Sequence, residues 1–164
     1  MCGVVGIISS NKPVAGELYD SLIHLQHRGQ DAAGIMTYNE RFHIKKGTGL
    51  IRDIFDEQNM SRLLGKVGVG HTRYPTVGGF SIEEAQPVYT HVPYGIAMAH
   101  NGNIVNYTDL SKEVVEKDRR HVNSSVDIEV ILHIFAHAME SNDRASDSSE
   151  FFDQICDSVK TVYG

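Results

Sequence analysis

The 164-residue sequence contains no tryptophan, only two cysteines and only four prolines. With two cysteines, neither a disulfide framework nor a multi-cysteine metal site is predicted. No apolar run is long enough to span a bilayer, and the N-terminus has neither the charged nor the apolar region of a signal peptide. We therefore expect a cytoplasmic protein with no membrane partner.

Positive charge is also scarce. Fifteen Lys and Arg residues stand against 21 Asp and Glu residues, which gives a net charge of −6, and no basic stripe is present, so nucleic acid is not an expected partner. The sequence lacks a Walker loop, a Gly-x-Ser-x-Gly elbow and a His-Glu-x-x-His motif. We predict no metal and no cofactor for this chain.

The hydrophobic patterning predicts a protein of mixed α and β structure, and the length suits a single domain. Strands are expected over residues 2–9, 32–39, 41–47, 66–75 and 94–104, the last running into an Asn-Gly turn. Helices are expected over residues 14–29 (ending at Gly29), 51–64, 108–117, 127–140 and 150–162. The polar segment 140–150 is predicted to be a flexible loop.

The first chemical candidate is Cys2, directly after the initiator methionine. If Met1 is removed, Cys2 carries a thiol and a free α-amine on one carbon. Such an amine titrates near neutral pH and is able to serve as the base that activates the thiol, as in N-terminal threonine nucleophiles. The alternative is a small buried residue behind an ordinary start.

The segment "AHNGNI" offers a second candidate. An Asn-Gly pair between apolar runs is a strong hairpin signal, so Asn101 and Gly102 are expected in a tight turn. In the functional alternative, the Asn101 side-chain amide and the Gly102 N–H point at a developing oxyanion.

Two charged residues are candidates for binding a substrate. Arg73 lies where a predicted strand gives way to a loop, and its guanidinium is either a carboxylate-binding fork or an ordinary surface group. Asp127 either receives a substrate ammonium or belongs to a capping box with Ser124.

Two further features are interpreted as structural. His133 and His137 have a metal-compatible spacing, but they are expected to face solvent beside Glu129 and Glu140. Cys156 is expected to be a buried structural thiol on a helix with Phe152, Ile155 and Val159.

Six motifs follow one another along the chain. They are a terminal Cys2 and then "LQHRGQDAAG", "VGHTRYPT", "EAQPVY", "AHNGNIVN" and "SSVDIEVI". From Cys2 to about His137 the chain resembles the class II glutamine amidotransferase domain, an N-terminal-nucleophile hydrolase. The segments "LQHRGQDAAG" and "RRHVNSSVD" are most similar to the glutaminase domains of amidophosphoribosyltransferases, which open purine synthesis.

The resemblance implies a role for each matching residue. Cys2 would be the nucleophile, with its own α-amine as base, and Asn101 and Gly102 would form the oxyanion hole. Arg73 would grip the glutamine α-carboxylate, and Asp127 would take the α-ammonium.

Three more residues match the family pattern. Arg28 and Gly29 match an "HRG" segment close to the nucleophile, and Thr76 matches a residue lining the glutamine pocket. The implied reaction is hydrolysis of glutamine through a Cys2 thioester. In the full-length enzyme the ammonia would pass to phosphoribosyl pyrophosphate on a second domain that uses Mg²⁺, within a homo-oligomer.

The resemblance implies an α+β fold of the N-terminal-nucleophile hydrolase type, an α/β/β/α sandwich of two mostly antiparallel sheets. Residues 1–164 would be the N-terminal part of one such domain, truncated on its C-terminal side, with the phosphoribosyltransferase domain absent. We expect such a piece to leave apolar sheet surface uncovered. Two alternatives stay open, an amidotransferase serving another acceptor and an inactive glutamine-binding fragment.

Overall fold

The structure, a computed structural model, describes residues 1–74, 81–116, 118–140 and 145–163. The chain divides into two compact units, the first comprising Met1–Val88 and Ala97–Gly102 and the second Tyr89–Ile96 and Asn103–Gly164. The chain contains both helices and strands, and the predicted α+β class is confirmed. The assignment of residues 1–164 to one domain stays a prediction.

The first unit is built on a four-stranded antiparallel sheet in the order β1-β4-β2-β3. The strands are β1 (Gly3–Ile8), β2 (Ala32–Asn39), β3 (Arg41–Thr48) and β4 (Val67–Arg73). All four were predicted from β-branched and apolar runs. The register pairs Gly3 with Thr72, so the chain's second residue lies beside the end of β4.

One face of this sheet is covered by helix α1 (Ala15–Leu25). Its Leu18 and Leu22 side chains are fully buried in a core with Ile35 of β2. Burial of each such side chain contributes about 1.5–3 kcal/mol. A 3₁₀ turn (Gln26–Arg28) continues the helix as far as Gly29, as the sequence predicted.

The prediction of one continuous helix over residues 51–64 is wrong. The structure has two short helices there, α2 (Ile51–Ile54) and α3 (Glu57–Met60). Phe55 is extended, and the Asp56 carboxylate accepts a hydrogen bond from the Asn59 N–H at 2.7 Å. A side-chain cap of this kind starts a new helix, because it satisfies an N–H group that lacks an intrahelical partner.

The opposite face of the sheet is partly covered by a segment that begins with a 3₁₀ turn (Ile82–Glu84). The Lys46 ammonium of β3 donates to the Ala85 carbonyl at 2.6 Å. A short sheet follows, in which β5 (Val88–Thr90) pairs with β6 (Ile96–Met98). Strand β5 was not predicted.

Several apolar side chains of the four-stranded sheet remain exposed. They are Val4, Ile8, Tyr38, Ile44 and Val67. In the strand register Ile8 and Tyr38 both flank Val67, so these three share one row at one end of the sheet. This agrees with the expectation that apolar sheet surface is left uncovered.

The second unit contains helices α4 (Tyr107–Glu116), α5 (Asp127–Glu140) and α6 (Ser148–Tyr163). Helix α5 packs against both of the others. The bounds of α5 are those predicted, and those of α4 and α6 differ by one or two residues. In the segment predicted to be a loop, residues 141–144 lie outside the described residues, and α6 already begins at Ser148.

Two predictions about side chains of this unit need correction. The His133 side chain is only 13 % exposed, because it lies next to the buried face of α5 formed by Leu132 and Phe135. On α6, Phe152 and Val159 are exposed, whereas Ile155 and Cys156 are half-buried, so the predicted apolar residues do not mark a fully packed face. His137 is half-exposed, as expected.

Among the helices that the structure describes, none combines the length and the apolar character needed to cross a membrane.

Candidate active site

Cys2 lies directly before β1, where neighbouring side chains fix its backbone. The Arg28 Nε donates to the Cys2 carbonyl at 3.0 Å, and the following N–H, of Gly3, donates to the Thr72 hydroxyl at 3.1 Å. Met1 still precedes Cys2, so the Cys2 nitrogen is an amide that stands in for the α-amine. Met1 is 73 % exposed, which leaves it accessible for removal.

The structure brings Cys2 and Asn101 together. The Cys2 N–H donates to the Asn101 Oδ1 at 3.2 Å, and the Cys2 Sγ lies 3.9 Å from the Tyr74 carbonyl oxygen. Because Oδ1 accepts this bond, the Nδ2 amino group is the part of the Asn101 amide that is able to donate to an oxyanion. Gly102 follows in an exposed position.

The tight hairpin turn predicted for Asn101 and Gly102 is wrong. In the described part of the chain β6 ends at Met98, and the next element is helix α4. Asn101 and Gly102 therefore do not connect two strands, and their conformation follows from contacts with residues distant in sequence.

The backbone just before Asn101 is held by two side chains. The His100 N–H donates to the Gln86 Oε1 at 2.8 Å, and the His71 Nε2 lies 3.2 Å from the His100 carbonyl oxygen. Burial lowers the pKa of His71 to about 4, and the charges of His100 and Arg73 act in the same direction. His71 is thus neutral near pH 7, with its proton on Nε2, because a carbonyl only accepts.

Gly29 lies against the backbone of Arg73. A Cβ atom at Gly29 would be 2.5 Å from the Arg73 carbonyl carbon, although the Gly29 φ of −166° suits any residue. The close approach, and not the backbone conformation, therefore requires glycine at this position.

Arg73 is buried, and it forms an ion pair with Glu84 at 2.5 Å. The alternative of a surface arginine is therefore wrong. Sequence reasoning did not single out Glu84, since no local pattern connects a carboxylate to an arginine eleven residues earlier. Its one sequence signal is that it begins the segment "EAQPVY".

Asp127 belongs to the second unit, where it is the first residue of α5. Its Oδ2 accepts the Ile104 N–H at 2.9 Å. Ser124, the residue that the capping-box alternative pairs with Asp127, donates from its Oγ to the Glu129 carboxylate at 2.5 Å. Glu129 therefore binds the turn that precedes α5, a role that the sequence did not indicate.

Glu129 accepts three more hydrogen bonds, from the backbone N–H groups of Asn123 and Ser124 at 2.8 and 2.9 Å and from the Asn123 amide at 3.1 Å. Burial would raise the pKa of Glu129, but the hydrogen bonds from Ser124 and Asn123 outweigh it and hold the pKa below its usual value. The carboxylate is therefore ionised when it holds this turn.

Thr76 lies outside the described residues. Within the described ranges, no three His, Cys, Asp or Glu residues are grouped so as to hold a metal ion.

Comparison with known proteins identifies the family. A family model described as a glutamine amidotransferase domain matches residues 55–144, more than half of the chain. The chain belongs to this family. The matched range includes Arg73, Asn101, Gly102 and Asp127.

The similarity of this amidotransferase chain to curated relatives extends beyond the matched range. It is 50 % identical over 151 residues to the amidophosphoribosyltransferase of Pseudomonas aeruginosa, covering 92 % of this chain and 30 % of that protein. The amidotransferase chain thus spans less than a third of the length of this relative.

Solved structures show the same fold. The allosteric regulatory enzyme of purine biosynthesis matches with a TM-score of 0.78 and 34 % identity, covering 98 % of this chain and 33 % of that one. Glutamine phosphoribosylpyrophosphate amidotransferase from B. subtilis matches with a TM-score of 0.77 and 32 % identity, covering 98 % of this chain and 32 % of that one. The predicted N-terminal-nucleophile hydrolase fold is therefore confirmed for the amidotransferase chain.

Proposed function

We propose that the chain hydrolyses the side-chain amide of glutamine to glutamate and ammonia through a thioester on Cys2. The observation that carries the proposal is the 3.2 Å contact between the Cys2 N–H and the Asn101 Oδ1. It places the chain's second residue, with its thiol and its prospective α-amine, beside the amide of a candidate oxyanion hole.

The reaction would proceed as follows once Met1 is removed. The α-amine takes the proton of the Cys2 thiol, and the sulfur attacks the glutamine amide carbon. The negative charge that develops on the amide oxygen is stabilised by the Asn101 Nδ2 and the Gly102 N–H. The ammonium of Cys2 returns the proton to the departing nitrogen, ammonia leaves, and water hydrolyses the thioester to glutamate.

Arg73 and Asp127 would bind the amino-acid end of glutamine. A guanidinium pairs with a carboxylate through two parallel hydrogen bonds, and an aspartate takes an ammonium. These roles, together with those of Arg28, Gly29 and Thr76, follow from the family pattern.

The whole protein would use the ammonia to aminate phosphoribosyl pyrophosphate in purine synthesis. The supporting observation is the similarity to amidophosphoribosyltransferases. A cytoplasmic location, a homo-oligomeric state and a Mg²⁺-dependent second domain are extensions of this proposal, and they rest on the family resemblance alone.

The proposal is tested by measuring glutamate release from glutamine by the purified protein. Cys2→Ala is expected to abolish release, and Cys156→Ala, which removes the other cysteine, is expected to leave it unchanged. Equal release by wild type and Cys2→Ala would contradict the proposal, as would no release from a wild type that has lost Met1.

A further inference from the structure

Both backbone polar groups of His100 are bound by side chains from other parts of the first unit. Gln86 accepts its N–H at 2.8 Å, and the His71 Nε2 donates to its carbonyl at 3.2 Å. His100 directly precedes Asn101 and Gly102, so these two bonds fix the peptide that leads into the candidate oxyanion hole.

The two supporting side chains are shielded from water. His71 is 0 % exposed and Gln86 is 4 % exposed. A buried hydrogen bond of this kind is not readily replaced by one to solvent, and losing one partner leaves the other unsatisfied. The His100 peptide therefore has one favoured orientation.

Gln86 is itself located by the sheet. A Cβ atom at Gly34 of β2 would lie 2.2 Å from the Gln86 carbonyl oxygen, so the Gln86 backbone rests directly on the strand. The adjacent Ala85 carbonyl accepts the Lys46 ammonium at 2.6 Å. His71 belongs to β4, which pairs with β2, and the register places it opposite Gly34. One support thus belongs to the sheet, and the other rests on a neighbouring position of the same sheet.

We infer that Gln86 and His71 are positioning residues for the proposed glutaminase reaction, holding the Asn101 amide and the Gly102 N–H in the orientation that meets the oxyanion. This inference rests on the proposed function. The Cys2 N–H binds the Asn101 side chain, and the His100 peptide holds the backbone that leads into Asn101. The Asn101 amide therefore keeps its orientation only if the His100 peptide does not rotate. Small misplacements of such donors are costly, because the donors act on charge that exists only in the transition state.

The test uses paired substitutions in the purified protein. Gln86→Leu removes the acceptor, whereas Gln86→Glu keeps an oxygen for the His100 N–H. His71→Leu removes the donor, whereas His71→Gln retains an N–H that reaches a similar position. Gln58→Leu and His24→Leu make the same changes at exposed helical positions and serve as controls.

Glutaminase kinetics are the first readout. Gln86→Leu and His71→Leu are expected to lower kcat about 10- to 100-fold with KM changed by less than about two-fold. Gln86→Glu and His71→Gln are expected to recover most of kcat. A loss confined to KM, or no change in kcat, would overturn the inference, as would failure of both conservative variants to recover activity.

Backbone hydrogen exchange of residues 99–103 is the second readout, and it does not depend on activity. Gln86→Leu is expected to accelerate exchange there at least about ten-fold while the β1 and β2 amides keep their wild-type protection. Unchanged exchange at residues 99–103, or faster exchange throughout the unit, would overturn the inference. A wild type that releases no glutamate but shows the expected exchange pattern would contradict the proposed function and leave the positioning of this peptide supported.

Discussion

The Arg73 guanidinium and the Glu84 carboxylate form an ion pair at 2.5 Å in which both side chains are only 9 % exposed. Arg73 ends β4, and Glu84 lies in the 3₁₀ turn that covers the same end of the sheet. The residue expected to grip the substrate carboxylate is thus already held by a carboxylate of the protein.

Removing one partner of this buried pair is expected to be strongly destabilising. Glu84→Ala leaves the Arg73 charge buried with this partner gone, and we expect the free energy of unfolding to fall by about 3–5 kcal/mol. Urea unfolding measures the change. The matched control is Glu17→Ala, which breaks the exposed Lys12–Glu17 pair and is expected to cost less than about 1 kcal/mol. Equal effects of the two substitutions would contradict this account of the pair.

Gly29→Ala is expected to destabilise the protein by roughly 1–3 kcal/mol, because the added methyl group would meet the Arg73 backbone at 2.5 Å. Gly16→Ala is the control, since nothing lies within 4 Å of its Cβ position. On helix α1 that change is expected to stabilise by about 0.5–1 kcal/mol. Thermal unfolding of both variants checks the opposite signs, and a neutral Gly29→Ala would contradict the close approach.

The stability of the protein is expected to fall between about pH 6.5 and pH 4 because of His71, whose pKa is lowered to about 4. In this window the unfolded chain binds a proton at this histidine, whereas the folded chain does not, so acid favours unfolding. The full effect is on the order of 3 kcal/mol and is absent above the unfolded pKa.

Urea unfolding at several pH values, compared with His71→Gln, isolates this contribution. Burial also lowers the pKa of His133, which adds a dependence of the same sign, so His133→Gln is measured in parallel. If His71→Gln kept the whole wild-type pH dependence, His71 would not be the buried neutral histidine described above.

Glu129→Ala is expected to release the turn that precedes α5. The N–H groups of Asn123 and Ser124 lose their acceptor, which is expected to cost about 1–3 kcal/mol. Hydrogen exchange of residues 121–126 measures the release, and Glu116→Ala, at an exposed position of α4, is the control. Unaltered protection of this turn would show that Glu129 does not hold it.

The helices and strands that have local sequence signals could be predicted from the sequence alone. Helix α5 has the predicted bounds because its first turn begins at Asp127 and its apolar residues repeat with helical spacing. The strands from β1 to β4 follow equally from β-branched and apolar runs. The break between α2 and α3 was missed, since the competing cap at Asp56 is also a local signal but was outweighed by the apolar stripe.

The residues that hold the candidate site in place could not be predicted in the same way. The segments "EAQPVY" and "VGHTRYPT" contain Glu84, Gln86 and His71, but the roles of these residues rest on contacts with residues distant in sequence. The exposure of His133 was misjudged for a related reason. Which side of α5 is covered depends on the packing of neighbouring helices, and a single helix pattern does not contain that information.

The account as a whole depends on Cys2 being a free N-terminal nucleophile, and the intact mass of the purified protein tests this most directly. The mass is measured with and without diazo-oxo-norleucine, a glutamine-like electrophile, and with Cys156→Ala as control. We predict loss of Met1 and a single adduct that maps to Cys2 in both proteins. A retained Met1, or an adduct at Cys156 in place of Cys2, would contradict the account.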